Sequence, residues 1–295
     1  MDGSSFLAGV TGRWQNEAVQ HEERDVSMNR KILSGLALSA VALLLAACGG
    51  SNAPVATDSG TSSTPPVGEQ SSSPSGEQSS TGDGAVQPLP FNASGLLGGN
   101  AKPNFPAGEQ GKVSVVQIGP METDSGTLLF AFRNNTSEGI SHVDWTATAT
   151  SGGKIVGTGS SQGGIPAQVQ SGEVGLSYIY FDNAKAIPKD AKYEFTVETT
   201  PVDTSSYNTA PMKVTQANLV GGSIVGGATN ATDAEATGPY SVEIYCFKGD
   251  KIQAKHGTFA EQLGKIAPGG KVTFSEDLFG DKCPTFTVGV SGFFS

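Results

Sequence analysis

An all-β fold, two tandem β-sandwich modules behind a disordered N-terminal tether, is predicted by three observations. First, residues alternate in character instead of recurring every three to four positions. Lys192-Tyr193-Glu194-Phe195-Thr196-Val197-Glu198 sets Tyr193, Phe195 and Val197 on one face and charged or hydroxyl side chains on the other, as a half-buried antiparallel strand requires. Second, the chain repeats itself. Arg133-Asn134-Asn135-Thr136 matches Thr229-Asn230-Ala231-Thr232 at an offset of 96, and Gly153-Lys154-Ile155 matches Asp250-Lys251-Ile252 at 97. Gly172-Glu173-Val174 matches Gly270-Lys271-Val272 at 98, and Phe195-Thr196-Val197 matches Phe286-Thr287-Val288 at 91. Offsets that drift only at turns are the mark of a duplicated module. Third, 40 Gly, 16 Pro and only 16% charged residues argue against a helix-rich chain.

These observations place the first sandwich at residues 112–201, a connector at 202–211 and the second sandwich at 212–295. Each copy has six or seven short strands between Gly/Asn/Pro turns and, on this reading, its own core. Eighteen basic against 28 acidic side chains, with no Lys/Arg cluster, argue against nucleic acid as a partner. The one apolar stretch near the N-terminus excludes a multi-span transporter.

That stretch has the parts of a secretory signal. Asn29-Arg30-Lys31 is a basic n-region, residues 32–47 carry no charge, and Leu45-Ala46-Ala47-Cys48 ends the run with small residues and a cysteine. It resembles the bacterial lipoprotein signal, whose lipobox is a Leu, two small residues and a Cys. The resemblance assigns residues 28–48 to a signal peptide and implies a diacylglyceryl thioether on Cys48, a membrane anchor on the extracytoplasmic face and a bacterial envelope. Two or three acyl chains anchor stably where one does not, at about 0.8 kcal/mol per buried CH₂. Residues 1–27, polar and lying ahead of the basic n-region, are read as a non-translated or disordered extension with Met28 as initiator.

Residues 49–111 read as a Ser/Gly/Pro-rich linker. From Gly49 to Pro88, 26 of 40 positions are Ser, Gly, Pro or Thr, and Gly-Glu-Gln-Ser-Ser occurs at Gly68 and again at Gly76, too little apolar surface to order itself. A coil of this length spans roughly 40 to 45 Å. Leu89, Phe91, Leu96, Leu97 and Phe105 interrupt the low complexity and mark a candidate docking segment within residues 89–111.

The order of the turns and strands (an early Gly-x-φ strand ending in Asn, a Val-rich strand, a Gly/Asp-Lys-Ile turn and a late Pro/Gly turn) resembles the FxLYD-type immunoglobulin-like modules of bacterial lipoproteins. The resemblance covers most of residues 112–292 and implies an immunoglobulin-like sandwich in each copy. Tyr245-Cys246-Phe247-Lys248 departs from the aromatic-acidic pair usual there.

With Cys48 assigned to lipid, Cys246 and Cys283 remain. Cys246 shares an alternation face with Tyr240, Val242 and Ile244 and so points inward, while Cys283 opens the last strand. A bridge between them suits an oxidising compartment, closes a loop of about 38 residues and contributes roughly 4 kcal/mol on the chain-entropy model. It offsets the aromatic volume lost where Gly226, Gly227 and Ala228 replace Phe130, Ala131 and Phe132.

No catalytic set is complete. Gly159-Ser160-Ser161-Gln162-Gly163 has the spacing of a nucleophile elbow but is followed by Gly164-Ile165-Pro166 and reads as a turn, and the one later histidine, His256, lies in the other copy. Ser151-Gly152-Gly153-Lys154 has a Ser-x-x-Lys spacing without Ser-Asp-Asn or Lys-Thr-Gly partners. His142, His256, Met121 and Met212 are too scattered for a metal, and Glu276-Asp277 with Asp281 lacks calcium-loop spacing. Trp145 alternates with Val143 and Ala147 and is assigned to the core. Tyr178, whose counterpart Glu276 prefers water, is the candidate ligand contact. The expectation is a non-enzymatic binding or scaffold lipoprotein without cofactor or metal, its partner an exported protein or a cell-wall component. The alternatives are a cell-wall serine hydrolase using Ser161 or Ser151, and a solute-capturing lipoprotein.

Overall fold

The computed structural model describes residues 85–205 and 207–295. The signal, Cys48 and most of the Ser/Gly/Pro-rich stretch lie outside the described residues. The rest is β structure apart from one 3₁₀ turn at Ala184–Ala186, and it forms two antiparallel sheets, one per repeat.

Residues 85–111 contain a short strand, β1 (Gly98–Gly99). The first sheet is built from β2 (Val113–Glu122), β3 (Thr127–Asn134), β4 (Ile140–Ser151), β5 (Lys154–Ile165), β6 (Gln168–Val169), β7 (Val174–Tyr180) and β8 (Lys192–Pro201). The second comprises β9 (Thr209–Val220), β10 (Ser223–Asn230), β11 (Ala236–Lys248), β12 (Lys251–Phe259), β13 (Lys271–Asp277) and β14 (Phe286–Phe294). Each sheet curls on itself into a sandwich, and each encloses a core: Leu128, Phe130, Phe132, Trp145 and Ile179 in the first, Met212, Ile224, Tyr240, Val242, Ile244 and Val288 in the second. The alternation from Lys192 to Glu198 falls on β8 as expected, with Tyr193, Phe195 and Val197 turned to the core.

The duplication extends to individual hydrogen bonds. Asn134 Nδ2 donates to Glu138 O (2.8 Å) and Val169 O (3.0 Å), while its Oδ1 accepts from Thr136 N (3.0 Å) and Thr136 Oγ1 (2.6 Å). Asn230 repeats this with Ala234 O (2.8 Å), Ile266 O (3.0 Å), Thr232 N (3.1 Å) and Thr232 Oγ1 (2.7 Å). Both asparagines are buried. Each amide ties the turn that follows its strand to a segment across the sheet, β6 at Val169 in the first copy and the Ile266 bridge to Ala236 in the second, which is why Asn-x-Thr stands at the same place in both copies.

Strand order separates the copies. Matching β2 to β9, β3 to β10, β4 to β11, β5 to β12, β7 to β13 and β8 to β14, the first sheet runs β2-β3-β7-β5-β4-β8 and the second β12-β11-β14-β9-β10-β13. These are one ring of six strands cut at two different places. The first copy is joined between β5 and β7 and open between β2 and β8; the second is joined between β14 and β9 and open between β12 and β13. A residue-level cause is visible in β5. A Cβ on Gly159 would lie 2.3 Å from Tyr180 O, so β5 reaches β7 only because position 159 is glycine. The matching residue of β12 is His256, and there the strands stay apart.

Cys246 and Cys283 form a disulfide, with Cα atoms 5.2 Å apart, and both belong to the second core. The expected aromatic deficit of that core is corrected by β13. Phe274 lies opposite Gly226 in the ladder and fills its space, a Cβ on Gly226 coming within 2.5 Å of the Phe274 ring, whereas Phe130 lies opposite Ser177. The large side chain has moved across the strand pair.

One other expectation is corrected. The linker does not continue to residue 111: residues 85–111 form a strap packed on both sandwiches. The two cores are separate clusters, as expected, and a third apolar cluster between the copies joins Leu97 and Phe105 of the strap, Leu129, Ala131 and Leu176 of the first copy, and Tyr245, Phe247 and Ile252 of the second. Phe91, Phe105 and Phe247 form a triangle with ring centroids 5.7 to 6.4 Å apart. The buried Arg133 guanidinium fixes the strap by donating to Leu89 O (2.8 Å), Pro106 O (3.1 Å), Phe105 O (3.3 Å) and Gly172 O (2.6 Å). Burial without a carboxylate partner lowers its pKa from the usual arginine value. Asn104 N also donates to Asp250 Oδ1 (2.9 Å), tying the strap to the β11–β12 turn.

Two measurements follow from this architecture. Asn134→Ala and Asn230→Ala each remove four hydrogen bonds made by a buried side chain and should each lower unfolding free energy by about 2 to 4 kcal/mol in denaturant titration, against roughly 1 for Thr136→Val. Calorimetry should show one cooperative unfolding transition for residues 85–295, and Phe105→Ala should lower its stability by about 3 to 4 kcal/mol; two well-separated transitions would mean that the shared cluster does not couple the sandwiches.

Candidate functional site

A cleft of about 420 Å³ lies between the sandwiches, with β5 of the first on one side and β11 and β14 of the second on the other. Its position follows from local chemistry. The ladder between β5 and β7 breaks its register between Ser161 and Gly164, and the bulged Gly163, at φ 156°, faces Glu243. A Cβ on Gly163 would lie 2.7 Å from Glu243 Oε1. Glu243 is flanked in its own sheet by Gly257 and Gly289; Gly163 leaves room for the carboxylate itself, Gly257 for the Lys255 ammonium and Gly289 for Ile165 of the first sandwich.

Glu243 is only 7% exposed. Tyr245 OH donates to its Oε2 at 3.3 Å, and Lys255 Nζ stands 4.0 Å from its Oε1. The same ammonium lies 4.1 Å from the centre of the Tyr178 ring, a cation–π contact that links the candidate tyrosine to the carboxylate. Burial raises the Glu243 pKa, against the opposing pull of Lys255 and the Tyr245 hydrogen bond. Burial first, and then the nearby Glu243 charge, push Tyr178 up to about 12; the same two causes hold Tyr245 well above its ordinary value. Both phenols therefore keep their protons at neutral pH.

Ser161 and His142 line this cleft together; His142 precedes the serine in the chain, the reverse of the nucleophile-elbow order, so that motif's spacing does not point to it. Ser161 Oγ accepts from Trp145 N (2.9 Å), and His142 Nε2 is hydrogen-bonded to Tyr207 O (3.0 Å). Gly159 to Gly163, expected as a turn, lies inside β5, and its glycines serve close strand approach and the bulge instead of a strand-to-helix elbow. Ser151 ends β4 at the hairpin beside Lys154, its ladder partner. Trp145 lies in the first core among Phe130, Phe132 and Phe195. Tyr178, expected as an exposed contact, is half-buried at the junction of the sandwiches. Among the described residues no group of three or more His, Cys, Asp or Glu is placed to hold a metal ion.

Chemically the cleft offers one buried carboxylate, the serine hydroxyls of Ser161, Ser241 and Ser291, and an apolar wall that includes Phe132 and Phe293. It suits a small polar or cationic group better than a flat apolar one. No family model matches the chain, and no curated protein is detectably similar to it.

The Glu243 carboxyl makes the assembly pH-sensitive in a defined direction. Its folded pKa lies above the unfolded value, so the folded state holds the proton more tightly. The stability it lends is complete below the ordinary glutamate range and is lost as pH rises through the elevated value. Melting temperature measured from pH 4 to pH 8 should therefore fall less steeply with rising pH in Glu243→Gln than in wild type; parallel profiles would show that the group does not titrate in that window.

Proposed function

We propose that this chain is a lipid-anchored protein of the extracytoplasmic face of a bacterial membrane, and that it binds or organises other envelope components without catalysing a reaction. The observation that carries the reading is Leu45-Ala46-Ala47-Cys48 at the end of an uncharged run behind Arg30 and Lys31. The Cys246–Cys283 bridge is in keeping with an exported chain. The finer resemblance to FxLYD-type immunoglobulin-like modules belongs to the same reading. The partner would be an exported protein or a cell-wall component, met at a distance from the membrane set by the Ser/Gly/Pro-rich segment.

Binding suits the architecture because it asks less of it than catalysis does. A catalytic site needs a nucleophile, a base and an orienting group in mutual reach, whereas a sandwich offers edges and clefts without further modification. Ser161 and His142, which line the same cleft, give the hydrolase alternative its one concrete form.

The test has two arms. Labelled palmitate should enter the wild-type protein and not Cys48→Ala; equal incorporation in both would remove the anchor from the reading. The double variant Ser151→Ala, Ser161→Ala should leave any ester, peptide or peptidoglycan turnover by the purified protein at the background rate seen in wild type. A wild-type rate above background that the double variant loses would establish the hydrolase instead.

A further inference from the structure

The open seam of the first sandwich, between β2 and β8, has a filled counterpart in the same molecule. In the second sandwich β9 and β14 pair only from Thr209 to Met212 and from Val290 to Phe293, and beyond that they splay. The gap is taken by β1 of the strap. Gly98 and Gly99 pair with Val288 and Thr287, Val214 N donates to Leu96 O (2.9 Å), Thr287 Oγ1 donates to Gly98 O (3.0 Å), and Asn100 Oδ1 accepts from Phe286 N (2.9 Å). The fit is tight: a Cβ on Gly98 would lie 2.3 Å from Val214 Cγ1.

In the first sandwich no strand occupies this place among the described residues. β2 pairs only with β3, and β8 only with β4. The cost is visible in burial. Phe286 and Val288, beside β1, are 3% and 0% exposed, whereas Tyr193 and Phe195, at the same ladder positions of β8, are only partly buried. Across the seam Met212 and Val214 are buried, while Val113 and Val115, which hold the same ladder positions opposite Asn134 and Phe132, are half-open. Val113, Val115, Tyr193 and Phe195 thus stay partly open between two strand edges that lack a ladder partner on this side.

We propose that this seam is a strand-addition site for an extended, uncharged segment of another exported protein, one resembling β1 in having glycine where it passes Val115. The incoming residues would pair with Phe195 and Glu194, which hold on β8 the ladder positions of Val288 and Thr287 on β14, and would close the sheet as β1 closes its sister. The inference gives the proposed binding function a surface, and rests on it only for the partner's compartment. Its test uses peptide capture and does not depend on lipid at Cys48, so the two can fail separately.

The probe is a synthetic peptide of residues 94–102, Ser-Gly-Leu-Leu-Gly-Gly-Asn-Ala-Lys, added in excess to the full-length chain and followed by amide hydrogen exchange. Exchange in β8 around Glu194 and Phe195 should slow at least tenfold while β14 is unchanged, and Gly98→Val in the peptide should weaken the effect at least tenfold. Because the alteration is in the peptide, folding of the protein is not at stake. No slowing in β8 at millimolar peptide, or a change confined to β14, would overturn the proposal. So would a concentration-dependent dimer with β8 protected before peptide is added, which would assign the seam to a second copy.

Discussion

Everything beyond the two individual cores depends on burying both faces of β11. Its inward residues, Tyr240, Val242, Ile244 and Cys246, are covered by the second sandwich itself. Its outward residues Tyr245 and Phe247 are as apolar and as completely buried, and a single sheet cannot cover them. They leave water only because the first sandwich and the strap close over them. At about 25 cal/mol per Å² of apolar surface, two such aromatics bring a driving force of several kcal/mol to the association of the copies. That association then sets the cleft, since Glu243 lies on the same outward face, two residues before Tyr245.

The carboxylate pays for this position in solvation and recovers part of it locally. Lys255 and Tyr245 supply opposite charge and a hydrogen bond, while Gly163 leaves the space for the carboxylate and Gly257 that for the Lys255 ammonium. Lys255 is itself held against Tyr178, so three residues from three strands form one coupled group. A ligand that enters the cleft meets a carboxylate whose surroundings are already ordered, which limits the entropy lost on binding.

What was legible in the sequence depended on the range of the interaction. The strand pattern, the turns and the repeat are written in near neighbours, and the inward Cys246 followed from period-two alternation on one strand. The strap was not legible as such, because Phe91, Leu97 and Phe105 sit in a stretch of Pro and Gly and find their partners as far away as Phe247. Tyr245 and Phe247 broke the alternation and offered a signal that was read only as a departure from a family pattern; an apolar run on both faces means two-sided burial. The seams were hidden for a different reason. Only the pair Gly159 and His256, read as one aligned position, records where each ring is joined. The cleft combines β5 with β11 and β14, strands that no local pattern brings together.

The Arg133 clasp has a mechanical meaning. Tension reaching residue 85 from the N-terminal side would load Val86, whose carbonyl accepts from Gln110 Nε2, and then Leu89, whose carbonyl is held by the guanidinium and whose amide donates to Gly172 O, before it reached the first core strand. Several contacts converging on a short stretch of backbone share such a load in parallel. A chain pulled from that end would therefore lengthen first by peeling its strap, leaving both sandwiches intact while uncovering Phe247 and the edge of β14.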